Sequence, residues 1–167
     1  MSLRASFQIG GRTVGGGEPC YVIAEAGANH NRDLGLAREL IDAAAEAGAD
    51  AVKFQTYSGA SIYSSKTPQF EYLKDDRSPQ ELLEAISLPR EWQPQLAEHA
   101  RERGIHFFSS PFDYDAVDQL AAVGVPAMKI ASFEIVDLPL IRKAATTGVP
   151  LILSTGMAVY GEIEDAL

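Results

Sequence analysis

The stretch "YVIAEAGANHNRD", residues 21–33, passes from a short apolar run straight into a carboxylate, Glu25, and then into two amides flanking an imidazole, Asn29, His30 and Asn31. Further along, Lys53 lies between Val52 and Phe54 with Gln55 two residues on. Lys129 lies between Met128 and Ile130 with Ser132 three residues on. An unpaired ammonium inside an apolar strand is costly, so these two lysines call for a partner of opposite charge. Brought from neighbouring strands to one mouth they would hold an anion, with the hydroxyls and exposed N–H groups of Ser110, Ser132 and Thr155 adding hydrogen bonds. His30 reads differently. A lone histidine after a strand is usually a hydrogen-bonded structural residue, and "NHN" fits no zinc spacing.

These residues need a scaffold that repeats one placement. Apolar runs at 21–25, 51–55, 105–109, 127–131 and 151–154 alternate with amphipathic stretches such as "LGLARELIDAAAEAG", where Leu36, Leu40, Ile41 and Ala44 recur at helical spacing. Gly48, Gly104, Gly124 and Gly148 each stand just before the next strand, where a left-handed helix cap is needed. The pattern predicts a parallel sheet covered by helices, as a βα barrel or a doubly wound open sheet. In either, the C-terminal strand ends form the ligand face. Glu25, Lys53, Gln55, Ser109, Ser110, Lys129, Ser132, Ser154 and Thr155 all fall there. Asn29 and His30 gain weight as site residues from the same placement. Asp113 is expected to cap the helix after "FSSPFD".

Two segments stand outside this rhythm. The opening, residues 1–20, predicts a short hairpin that caps a partial barrel domain spanning 21–167. Residues 56–88 form a long polar connection, expected as a βα loop over the strand ends with a short helix around Pro79–Ile86. A helix over 90–103 follows. An eight-stranded barrel takes about 250 residues, so about five βα units are expected, with the C-terminal part of the barrel absent, the sheet left open, or partner chains completing it.

Charge and composition exclude several classes. Fourteen basic against 23 acidic residues, net −9, argue against nucleic-acid binding, which needs a basic face. No apolar run is long enough for a bilayer and no secretory signal opens the chain, so a cytoplasmic protein without a membrane partner is expected. The single Cys20 has no cysteine partner for a disulfide or zinc site and reads as a small buried apolar residue.

Five ordered motifs, "IAEAGANHN", "AVKFQTY", "FFSSPFD", "MKIASFEI" and "LILSTGM", together closely resemble the bacterial sialic acid synthase family, the N-acetylneuraminate synthases with their pseudaminic and legionaminic acid relatives. The resemblance implies a TIM (β/α)₈ barrel, here its first five βα units, followed in the family by a small antifreeze-like domain in a domain-swapped homodimer. It implies condensation of phosphoenolpyruvate with an N-acetylated hexosamine such as N-acetylmannosamine, releasing phosphate and forming a nine-carbon 2-keto acid. Lys53, Ser110, Lys129 and Ser132 would hold phosphoenolpyruvate, and Glu25 and Gln55 would face the sugar and the reacting carbons. A divalent metal, Mn²⁺ or Mg²⁺, is implied, with histidine ligands from later strands and none in this chain. The chain alone is therefore expected to be inactive.

Two departures from the family pattern stand out. Arg32 replaces the usual glycine, which predicts an altered turn and an extra cation near the mouth, and Ser110 replaces a threonine while keeping the hydroxyl. Two other functions fit the residues: a Schiff-base aldolase using Lys53 or Lys129, and an inactive half-barrel that binds anions or self-associates through its open edges.

Overall fold

The structure, a computed structural model, describes residues 6–70 and 76–167. Residues 1–5 of the expected hairpin segment and 71–75 of the long connection lie outside the described residues.

Strands β1 (Ser6–Ile9) and β2 (Arg12–Gly15) form the predicted antiparallel hairpin. Five parallel strands follow in sequential spatial order: β3 (Ile23–Gly27), β4 (Ala51–Thr56), β5 (His106–Pro111), β6 (Met128–Ile130) and β7 (Leu151–Leu153). Between them run α1 (Leu34–Glu46), α2 (Gly59–Ile62), α3 (Pro79–Ile86), α4 (Gln93–Glu102), α5 (Tyr114–Val123) and α6 (Leu138–Ala145), and α7 (Tyr160–Ala166) closes the chain. Sequential parallel order with helices on one side is the wall of a (β/α) barrel rather than a doubly wound sheet, whose strand order reverses.

The helices start and stop where the residue types dictate. Asp33, Asp113 and Asp137 each accept a backbone N–H of the first turn of α1, α5 and α6, at 3.0, 2.8 and 3.0 Å. Asp113 thus does the capping expected of it, with Arg90 ion-paired to its other oxygen. Gly48, Gly104, Gly124 and Gly148 take φ of 77°, 77°, 80° and 74°, the left-handed conformation the sequence calls for. The helix read over 90–103 begins as one turn of 3₁₀ helix at Arg90–Trp92 and becomes α-helical at Gln93, next to Pro94 in its first turn. The four-residue α2 carries too little periodicity to be predicted.

Strand alternation sorts side chains onto two faces. Val52, Phe54, Phe107, Met128 and Ile130 pack outward against Ile41, Leu96, Leu120 and Leu140 of the helices. Ala51, Phe108 and Ala127 face inward and are met by Ile9 of the hairpin, which is 2% exposed. The hairpin therefore plugs the N-terminal end of the sheet's inner face. At that plug the Tyr21 hydroxyl meets His106 Nδ1 at 2.5 Å, and Arg12 lies over the Tyr21 ring while paired with Asp50. Cys20, expected to be buried, is exposed, because the short connection from plug to β3 runs over the surface.

Candidate active site at the strand ends

Lys53 and Lys129 continue the inward rows begun by Ala51 and Ala127, so the same alternation that buries Phe54 and Ile130 against helices turns both ammonium groups to the inner face. They stand on alternate strands, β4 and β6, with β5 between them, and not on neighbouring strands as the sequence reading had it. Register aligns Glu25 with Lys53, Lys53 with Phe108, and Gln55 with Ser110. Because Ser109 pairs with Met128, Ser110 lies alongside Lys129. Glu25, Lys53, Gln55, Ser110 and Lys129 thus share one face at one end.

A register shift between Glu25 and Gly27 puts a bulge at the end of β3, a device that re-aims a side chain at a strand end. Glu25 pairs with Lys53, whose side chain is only 13% exposed while that of Glu25 is 50% exposed. The ammonium is shielded and its counter-ion faces the opening. A Cβ on Gly27 would lie 3.2 Å from Glu25 Oε1, 3.9 Å from Gln55 Nε2 and 4.0 Å from Asn29 Nδ2, so these three polar groups converge around the bare glycine. Asn29 Nδ2 also donates to the Ala26 carbonyl at 3.0 Å.

Lys129 has its pKa pushed below the usual lysine range, first by burial and then by the charge of Lys53, with Glu25 and Glu134 acting in the opposite direction. Two cations and two acids therefore share one electrostatic neighbourhood. Glu134, which the sequence reading passed over, is pushed up by burial, against the pull of Lys129, and its buried Oε2 has no hydrogen-bond partner. Burial outweighs mutual attraction for both members of this pair. The signal that would have found Glu134 is an acid set between Phe133 and Ile135, just beyond the lysine strand's end at Ile130.

The remaining candidates divide. Ser132 Oγ lies 3.6 Å from where a Cβ on Gly156 would stand, which brings the loops after β6 and β7 together. Ser154 donates its N–H to the Ile130 carbonyl at 3.0 Å, and Thr155 is exposed beyond it. His30 does not join the mouth. It is 1% exposed, its ring lies 6.1 Å from that of Phe54 on the helix side, and its Nδ1 accepts the Arg32 N–H at 3.0 Å. Burial lowers its pKa. Ser109 also leaves the site: one residue from Ser110, it faces the helices and shares a buried network with Thr56 and Gln93. Arg32 keeps the left-handed turn a glycine would give, with φ 58°, and its guanidinium reaches Glu84 rather than the mouth.

A cavity of about 1000 Å³ lies elsewhere, between α4 and α5. Its floor is apolar, with Ala97, Ile105, Phe107 and Val125, and its cations Arg90 and Arg101 are already paired with Asp113 and Glu98. The open mouth, which holds the shielded lysines, is the better candidate for chemistry. Among the described residues no group of three or more His, Cys, Asp or Glu is placed to hold a metal ion. Among them, too, no helix is long and apolar enough to cross a membrane.

The profile of the NeuB family matches residues 40–167. Pseudaminic acid synthase of Helicobacter pylori is 46% identical over 154 residues, covering 90% of this chain and 45% of that protein. N,N'-diacetyllegionaminic acid synthase of Legionella pneumophila is 42% identical over 152 residues, covering 89% and 43%. The crystal structure of N-acetylneuraminic acid synthetase from Leptospira borgpetersenii, in complex with citrate, superposes with a TM-score of 0.83 at 35% identity, over 96% of this chain and 53% of that one. The chain spans about half the length of the proteins it matches.

Proposed function

This chain belongs to the NeuB family, and from that membership we propose that it is the phosphoenolpyruvate-holding portion of a nonulosonic acid synthase, which joins phosphoenolpyruvate to an N-acetylated hexosamine and releases phosphate. The observation that carries the reading is the pair of shielded ammonium groups of Lys53 and Lys129 on one face of the sheet, each with an acid beside it. N-acetylmannosamine is the proposed sugar; the acetylated hexosamines that would lead to pseudaminic or legionaminic acid are the alternatives, given the names of the relatives.

In the proposed reaction the enol carbon of phosphoenolpyruvate bonds to the aldehyde carbon of the open-chain sugar, whose oxygen takes a proton. Water adds to the cationic carbon left behind, and the tetrahedral product expels phosphate by C–O cleavage. Lys53 and Lys129, with the hydroxyls of Ser110 and Ser132, would hold the phosphate and carboxylate and balance charge on the leaving group. Glu25 would stabilise the cation or move a proton of the attacking water, with Gln55 beside it on the sugar side. The divalent metal of the family resemblance would act as a Lewis acid on the sugar carbonyl. The described residues do not fit it, and histidine ligands from later strands are proposed on the family resemblance alone. A homodimer is proposed on the same resemblance.

The lowered pKa of Lys129 favours one other reading, a Schiff-base aldolase. Two measurements separate them. Calorimetric titration should show phosphoenolpyruvate binding this chain in competition with inorganic phosphate, and borohydride with pyruvate should leave no adduct on Lys53 or Lys129. Binding of pyruvate with a trapped adduct would overturn the synthase reading, as would no binding of phosphoenolpyruvate at all.

A further inference from the structure

We propose that Arg32 is a positioning residue which caps the C-terminal end of α3 and so clamps the loops leaving β3 and β4 to each other, an inference resting on the mouth being a phosphoenolpyruvate site.

Asn31 and Arg32 are consecutive non-glycine residues at φ 47° and 58°. Asparagine tolerates that conformation, but at Arg32 it is unfavourable, and a long cationic side chain gains nothing from it locally. What holds the turn is contact on both sides. The Arg32 N–H donates to His30 Nδ1, buried against Phe54, and the guanidinium Nη1 donates to the carbonyl oxygen of Glu84 at 2.7 Å. That carbonyl is among the last four of α3, which lack an N–H partner inside the helix and attract a cation; it also accepts the Ser87 N–H at 3.3 Å and the Ser87 hydroxyl at 2.9 Å, and the guanidinium adds the shorter, charged contact from the other loop.

Glu84 carries the linkage onward. Its Oε2 accepts the Gly59 N–H at 2.8 Å, at the start of α2, and its Oε1 lies 3.6 Å from Arg32 Nη1. Gly59 is fixed in turn: a Cβ there would stand 2.1 Å from the Gln80 carbonyl oxygen, so α2 and α3 touch backbone to backbone. One residue thus joins the turn after β3, which carries Glu25 and Asn29, to the segment after β4, which carries Lys53 and Gln55. As an exposed ion pair Arg32 and Glu84, 44% and 49% exposed, would contribute little. The shorter contact is to a backbone carbonyl, and it is this contact that makes the link a cap.

The test uses Arg32→Gly and Arg32→Lys with hydrogen exchange read by mass spectrometry on the whole chain. Glycine relieves the left-handed turn while deleting the cap, so a turn that mattered only through strain would gain protection. The clamp instead predicts roughly tenfold faster exchange in α2 and α3 for Arg32→Gly, unchanged β4 and β5, and recovery of at least half that loss by Arg32→Lys. Affinity for phosphoenolpyruvate should fall several-fold in Arg32→Gly and be regained in Arg32→Lys. Parental exchange in Arg32→Gly, or Arg32→Lys no better than Arg32→Gly, would overturn the clamp. Absence of phosphoenolpyruvate binding by the parent chain would instead refute the anion site, leaving the exchange comparison to decide on Arg32.

Discussion

Replacing Lys53 by methionine should separate ligand binding from stability. The ammonium sits on the inner face with 13% of its side chain exposed, and methionine fills similar volume there without charge. A unit charge about 4 Å from an anion, at an effective dielectric constant of about 20, contributes about 4 kcal/mol. Glu25 already offsets part of that field, and taking roughly half leaves about 2 kcal/mol, or an affinity for phosphoenolpyruvate weaker by about 30-fold. Stability should move by less than about 1 kcal/mol, because Glu25 is half-exposed and is solvated once its partner is gone. Lys129 loses the repulsion of Lys53 and should titrate closer to an ordinary lysine. Calorimetry gives the affinity and thermal unfolding the stability. A variant that folds normally and binds within threefold of the parent would refute the two-lysine anion site.

Three further outcomes are expected. Glu25→Gln removes a negative charge beside the same site, so inorganic phosphate should bind about tenfold more tightly by calorimetry; weaker binding would make Glu25 a direct ligand contact rather than a counter-ion. Burial holds the pKa values of His30 and His106 below 6.5, with Arg12 adding to the effect at His106, so below pH 6.5 the unfolded chain takes up protons the folded chain refuses. Stability in urea should therefore rise as pH climbs toward 6.5 and fall below it, and a flat profile from pH 5 to 7 would contradict this. Gly59→Ala drives a methyl into the Gln80 carbonyl and should cost about 1–3 kcal/mol by urea unfolding, whereas an unchanged midpoint would mean that α2 and α3 separate freely.

Fold and mouth were legible because alternation along each strand is set by two strong signals at once. In "AVKFQT" the apolar Val52 and Phe54 must face the helices, which leaves Lys53 and Gln55 no other side. "FFSS" has no such signal, since two phenylalanines and two serines are compatible with either phase. Only the register with β6 decides that Ser110 faces Lys129 while Ser109 turns to Thr56. His30 is the hydrogen-bonded structural residue that a lone histidine after a strand usually is; what stayed hidden is the turn that buries it beside Phe54, since no local pattern announces consecutive positive φ at residues with side chains such as Asn31 and Arg32. Glu134 lies in a single 3₁₀ turn, Glu134–Val136, too short to show a period that would have turned it inward.

The acids beside the lysines explain how such a site exists in a chain of net charge −9. Two ammonium groups on one inner face repel, and the charge of Lys53 adds to burial, the larger cause, in holding the pKa of Lys129 down. Glu25 and Glu134 both relieve that repulsion, one half-exposed at the opening and paired with Lys53, the other half-buried with an unpartnered oxygen. On the proposed function an arriving dianion would compete with Glu25 for Lys53, so binding would be an exchange of counter-ions rather than the filling of an empty positive hole. That exchange would free the Glu25 carboxylate, half-exposed at the opening, at the moment a cationic carbon needs it. On that proposal the carboxylate at the end of a buried strand would serve as an internal stand-in for the substrate as well as a candidate for the chemistry.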